Sequence, residues 1–345
     1  MLGFLQNGGE RGIRTPGPLT VNGFQDRRIK PLCHLSAAKI QSQGFHPKKN
    51  QNRAYFCLMI LRRRFVLPFL FVLLWIGCRN CRVLELRMND KDLQETLAPL
   101  HCPYQIVHQQ IGDRNIRYLK VGNDSLPKLI FLHGSPSSLS AWRTIYTDTN
   151  YLRHYQMIAI DRPGYGFSDF GMVETDLQQQ VAVLQVIVDS LTRHRKAVLF
   201  GSSYGGPVAA QLAMNLPDRF SQLVLLSASV KPASETTYWV SYPMTAPILK
   251  YIFPPTFVMS SEEKLAHEHQ LETLTHWEKI RANVLLIHGD QDKLVYFDNA
   301  LYAKQKLVNA RSRILVIMKG KGHSVIFSQP NYIKSILSKY LLGMK

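Results

Sequence analysis

The stretch Ala197-Val198-Leu199-Phe200-Gly201-Ser202-Ser203-Tyr204-Gly205 decides the reading of this chain. Four apolar residues end in a pentapeptide of the form G-x-S-x-G. This is the signature of a strand that turns sharply into a helix with a serine at the tip. So tight a turn needs small residues two before and two after the nucleophile, and Gly201 and Gly205 meet that need. Ser203 is therefore the candidate, and its neighbour Ser202 is not. The bare pattern arises by chance in roughly one chain in ten of this length, so its weight rests on what surrounds it.

Outward from the elbow, short apolar strands alternate with helices. Strands are expected over 105–111 and 115–121, joined by Gly112-Asp113-Arg114, and over 128–132, 155–160, 197–200, 222–226, 283–287 and 313–318. Helices are expected near 137–140 and over 204–214, 299–308 and 329–342. Another spans 176–193, where Leu177, Val181, Leu184, Val188 and Leu191 recur at helical spacing. Continuous apolar strands alternating with helices imply an α/β class: a mainly parallel, eight-stranded sheet covered on both faces. Residues 231–279 interrupt the rhythm with aromatics and prolines, then turn polar and helical over 260–275. This insertion is expected to form a small lid over a pocket.

A serine hydroxyl at neutral pH needs a base within hydrogen-bond reach and a carboxylate to orient that base. Asp292, in His288-Gly289-Asp290-Gln291-Asp292, is the candidate acid, with Asp290 as its rival in the same loop. His323, in Lys319-Gly320-Lys321-Gly322-His323-Ser324, is the candidate base. Both follow strand ends, where open α/β sheets place their sites. Two N–H donors are needed for a tetrahedral oxyanion. The backbone of Tyr204 would supply one and that of Ser135, in His133-Gly134-Ser135-Pro136, the other. His267, His269 and His276 read as solvated residues of a polar lid helix, so no metal site is expected.

The net charge of +18 is concentrated at the front of the chain. Residues 1–64 hold 12 of the 42 Lys and Arg and 2 of the 24 Asp and Glu, leaving a net +8 on residues 65–345. That is an ordinary value for a soluble domain, and no basic run interleaved with aromatics follows, so nucleic-acid binding is not expected. Residues 1–58 lack periodicity and read as a disordered or mis-annotated leader. Their segments 8–17 and 25–36 resemble peptides that arise when a gene model runs through an adjacent tRNA gene, which would put the start at Met59. From there Arg62-Arg63-Arg64 precedes an apolar run, Phe65 to Ile76, too short to span a bilayer comfortably but suited to an export signal. Leu74-Trp75-Ile76-Gly77-Cys78 resembles a bacterial lipobox, with Cys78 as the lipidated residue and Trp75 departing from the usual leucine. Segment 59–78 is thus expected to be a signal peptide or membrane anchor, with the protein exported and held at a membrane. A plain cleaved signal or a signal-anchor stays open. Cys81 and Cys102 could pair in an oxidising compartment.

With these residues in view, the span from about 105 to 342 resembles the α/β-hydrolase superfamily. More narrowly, it is similar to the branch of single-domain esterases, epoxide hydrolases, haloalkane dehalogenases, carbon–carbon bond hydrolases and cofactor-free haloperoxidases. The matching motifs are His133-Gly134-x-Pro136, Asp161-Arg162-Pro163-Gly164-x-Gly166-x-Ser168-Asp169, the elbow, Gly289-x-x-Asp292 and Gly322-His323. Epoxide hydrolases and dehalogenases carry aspartate at the elbow, so Ser203 argues against both activities. A lipase-type glycine-rich oxyanion loop is also missing. The resemblance implies acyl transfer to water without a cofactor, on a small or medium carboxylic ester. Alternatives are a carbon–carbon bond or an amide or peptide bond on the same triad, or a non-catalytic binding protein of the same fold.

Overall fold

A computed structural model describes residues 86–343 of the 345-residue chain. The leader 1–58, segment 59–78 with Cys78, and Cys81 lie outside the described residues. Cys102 is a free thiol among the described residues, and the pairing with Cys81 that the sequence left open lies outside them. No helix among the described residues is long and apolar enough to cross a membrane.

Eight strands form one sheet: β1 (Tyr104–Ile111), β2 (Arg114–Val121), β3 (Lys128–Leu132), β4 (Gln156–Ile160), β5 (Ala197–Ser202), β6 (Phe220–Leu226), β7 (Asn283–Gly289) and β8 (Ser312–Met318). Their order is β1-β2-β4-β3-β5-β6-β7-β8. Strand β2 runs antiparallel to both β1 and β4, and every other pairing is parallel. The eight-stranded, mainly parallel sheet expected from the sequence is borne out. The hairpin register pairs Ile111 with Arg114. Arg114 therefore belongs to the strand, and the turn is the pair Gly112-Asp113.

The longer helices are α1 (Asp90–Leu97), α2 (Leu177–Thr192), α3 (Gly205–Asn215), α4 (Pro255–Leu271), α5 (Asp298–Lys306) and α6 (Pro330–Leu342). Helix α2 follows its periodicity closely. Asp176 caps its start by accepting from the N–H groups of Gln178 and Gln179, and Leu177, Val181, Leu184 and Val188 are buried. Near 137–140 the chain forms a 3₁₀ turn, Leu139–Trp142, capped by Ser138. Helix α1 was not anticipated. Asn89 caps it, and Leu93 and Leu97, one turn apart, anchor it in the core.

Side-chain alternation along the central strands builds two cores, one on each face of the sheet. Ile130, Leu132, Leu199, Leu223 and Leu225 pack with α2 and α3 on one face. Leu129, Phe131, Val198, Phe200 and Val224 face α1, Trp142 and α6 on the other. The six parallel strands β3 to β8 all end on the same side of the sheet, which brings the loops bearing Ser135, Ser203, Asp292 and His323 together.

Candidate active site

Ser203 sits at φ +52°, in the left-handed region that a serine adopts only at a cost of order 1–3 kcal/mol. Its N–H donates to the carbonyl of Leu226 at 3.0 Å, and its carbonyl accepts from the N–H groups of Gly206 (2.9 Å) and Ser229 (3.2 Å). These bonds hold the turn against the end of β6 and the start of α3. The glycine before the turn is a steric requirement, since a Cβ at Gly201 would lie 2.4 Å from the Gly205 carbonyl oxygen. Gly134 lets the loop after β3 pass against the elbow, where a Cβ would lie 2.8 Å from that of Ser203.

His323 bridges the serine and an acid. Its Nε2 lies 3.0 Å from Ser203 Oγ and its Nδ1 2.8 Å from Asp292 Oδ2. Asp292 Oδ1 accepts from the N–H groups of Leu294 (3.0 Å) and Val295 (2.9 Å), which aims the other oxygen at His323. Burial acts to raise the Asp292 pKa. Hydrogen bonds from His288 and His323 and the charge on His323 outweigh it, and the carboxyl is held well below the usual carboxylate range. His288 was not singled out from sequence. It is buried, and its Nε2 donates to the Val295 carbonyl at 2.9 Å while lying 3.4 Å from Asp292 Oδ2. Asp290, the rival acid, faces elsewhere: its Oδ1 accepts from the N–H of Gly320 at 2.6 Å. It braces the start of the loop that carries His323.

A cavity of about 420 Å³ opens over the elbow. Ser135, Ser203 and Tyr204 line it from the sheet side, and Tyr238, Phe257 and Ser260 are among those that line it from the insertion. Helix α4 crosses it and starts at Pro255, five residues before the expected start, because a proline at the first helical position has no N–H to lose. His269 and His276 are exposed, but the expectation of solvated histidines is corrected for His267, which is 2% exposed. Burial and the charges of Lys264 and Arg162 press its pKa down to about 3, so it is neutral, and its Nε2 hydrogen-bonds Ser229 Oγ. Among the described residues no group of three His, Cys, Asp or Glu side chains is placed to hold a metal ion.

A second buried group was missed by the sequence reading. Arg162 and Glu263 are both fully buried and form a two-pronged ion pair, with N–O distances of 2.7 and 3.1 Å. Arg162 lay within a quoted motif but carried no role. Glu263 had no local signal, since one acid on a polar helix reads as solvent-facing.

The family profile described as the alpha/beta hydrolase fold matches residues 127–254. The chain is 29% identical over 147 residues to epoxide hydrolase 4 of Mus musculus, covering 41% of this chain and 38% of that one. It is 37% identical over 109 residues to the pimeloyl-[acyl-carrier protein] methyl ester esterase of Vibrio parahaemolyticus, covering 32% of this chain and 40% of the esterase. The chain thus spans less than half the length of these two curated relatives. Among solved structures, the 2-hydroxy-6-oxo-6-phenylhexa-2,4-dienoate hydrolase of Rhodococcus sp. strain RHA1 superposes with a TM-score of 0.54 at 20% identity, covering 70% of this chain and all of that one. The sheet order, the elbow and these matches agree: the chain has the α/β-hydrolase fold.

Proposed function

We propose that the protein is a serine hydrolase that cleaves a small or medium carboxylic ester through an acyl-enzyme on Ser203. The observation that carries this reading is the bridge made by His323, 3.0 Å from the Ser203 hydroxyl on one side and 2.8 Å from Asp292 on the other, beneath a substrate-sized cavity. His323 Nε2 accepts the Ser203 proton as Oγ attacks the ester carbonyl, and Asp292 stabilises the imidazolium through Nδ1–H. The backbone N–H groups of Ser135 and Tyr204 receive the oxyanion. His323 then passes the proton to the departing alcohol. Water attacks the acyl-enzyme, with His323 again as base, and the carboxylic acid leaves with Ser203 restored.

Ser203 separates this chemistry from reactions that need a carboxylate nucleophile, because a hydroxyl forms an acyl ester whose deacylation returns the enzyme. A fluorophosphonate probe tests the reading. The native chain should be labelled and Ser203→Ala should not. Equal labelling of both, or of neither, would falsify the assignment of Ser203 as nucleophile. For the front of the chain, the Arg62–Cys78 pattern supports export with anchoring through Cys78, which is part of the same proposal.

A further inference from the structure

The loop that carries Ser135 is held by groups outside the Ser203–His323–Asp292 bridge. Arg162 Nε donates to the His133 carbonyl at 2.8 Å, and its Nη2 lies 3.3 Å from the Gly134 carbonyl. The Arg162 N–H in turn donates to His133 Nε2 at 3.0 Å. That leaves the other ring nitrogen, Nδ1, to carry the proton and donate to the Gly134 carbonyl at 2.7 Å. Both carbonyls that precede the Ser135 N–H are therefore held by the buried Arg162, through its guanidinium and, for Gly134, also through His133 and the Arg162 backbone N–H. Its charge is balanced by Glu263 of helix α4.

The Ser135 side chain is tied to the same carboxylate. Tyr165 donates to Glu263 Oε2 at 2.8 Å, since a carboxylate can only accept. The Tyr165 oxygen then accepts from Ser135 Oγ at 2.7 Å. Ser135 Oγ also lies 3.2 Å from Ser260 Oγ on the same lid helix. Burial and the Glu263 charge raise the Tyr165 pKa well above its ordinary value, so this phenol keeps its proton.

We propose that Glu263, acting through Arg162 and Tyr165, is a positioning residue for the Ser135 oxyanion donor, so that docking of the lid helix and completion of the oxyanion site are one event. This rests on the serine-hydrolase reading above. A buried, charge-balanced network has essentially one arrangement, because each member would be left unpaired by any other. Undocking α4 would leave Arg162 without its counter-charge and free both carbonyls of the oxyanion loop.

The test uses two single-hydroxyl deletions in the full chain, Tyr165→Phe and Ser135→Ala, together with the double variant. Both spare the Ser135 N–H and cut the same link. With p-nitrophenyl butyrate, each should lower kcat by roughly ten-fold or more while KM stays within about two-fold, as expected for a small misplacement of a group that acts in the transition state. The double variant should be no slower than the worse single one. A trifluoromethyl ketone, whose tetrahedral adduct occupies the oxyanion site, should lose affinity in parallel with kcat. Glu263→Gln should reproduce the kcat loss, and thermal melting of each variant reports whether it is folded. The inference is overturned if folded variants keep native kcat, if the losses multiply in the double variant, or if KM rises alone. A native chain that neither turns over esters nor reacts with the fluorophosphonate probe would instead remove the hydrolase reading, and this inference with it.

Discussion

Ser203, His323 and Asp292 come from three loops 120 and 31 residues apart in sequence, so their meeting depends on strand order rather than proximity. The residue patterns nominated all three, but they left Asp290 and Asp292 as rivals two positions apart. Backbone geometry separates them: Asp292 folds back onto the N–H groups of Leu294 and Val295, whereas Asp290 turns to Gly320. If Asp292 orients His323, Asp292→Asn should lower kcat by about 10⁴-fold, since an amide in that place favours the wrong imidazole tautomer. Asp290→Asn should leave kcat within a few-fold, because it touches the loop and not the imidazole. Steady-state kinetics on the same ester compares them directly.

Helices α1 and α4 mark where local pattern runs out. Helix α1 is only eight residues long, too short for a periodicity to stand out, and it exists because Leu93 and Leu97 are buried against the sheet. Leu93→Ala should cost about 2–5 kcal/mol, measured by denaturant unfolding. Helix α4 carries buried Glu263 and His267 on what reads as a polar face. Their burial is set by partners far away in sequence: Arg162 for Glu263, and Ser229 for His267. His267 also makes the lid sensitive to acid. Unfolded, its imidazole titrates near 6.5, but in the folded chain burial and the nearby Lys264 and Arg162 charges hold it neutral down to about 3. Between those values the unfolded state binds a proton that the folded state refuses. The stabilisation is therefore complete above 6.5 and is lost as the pH falls through that window. His267→Gln should flatten this slope, so the gap between native and variant melting temperatures should narrow from pH 6.5 to about pH 4. An unchanged gap would show that His267 titrates normally in the folded chain.

At the scale of the molecule, the six parallel strands deliver their loops to one side of the sheet, and the insertion between β6 and β7 closes over them. That arrangement makes a cavity of about 420 Å³ whose lining is partly sheet loops and partly lid. The front of the chain bears on where this cavity works. If Cys78 is the lipidated terminus, mass spectrometry of the protein from its native host should show an N-terminal Cys78 carrying acyl mass. A mature terminus elsewhere, without lipid, would sink the anchoring proposal and leave the hydrolase reading intact.

The α/β class, the eight strands, the elbow and the residues nominated for chemistry were all legible in the residue pattern. Each of these is written in local terms: periodicity of apolar residues, glycines where a turn has no room for a Cβ, and polar residues just past strand ends. It took the packed chain to separate Asp290 from Asp292, to bury His267, and to match Arg162 with Glu263 across 101 residues. A charged or polar side chain looks alike on paper whether it meets water or a partner. Which one it meets depends on the elements packed around it, and long-range pairing leaves no trace in local pattern.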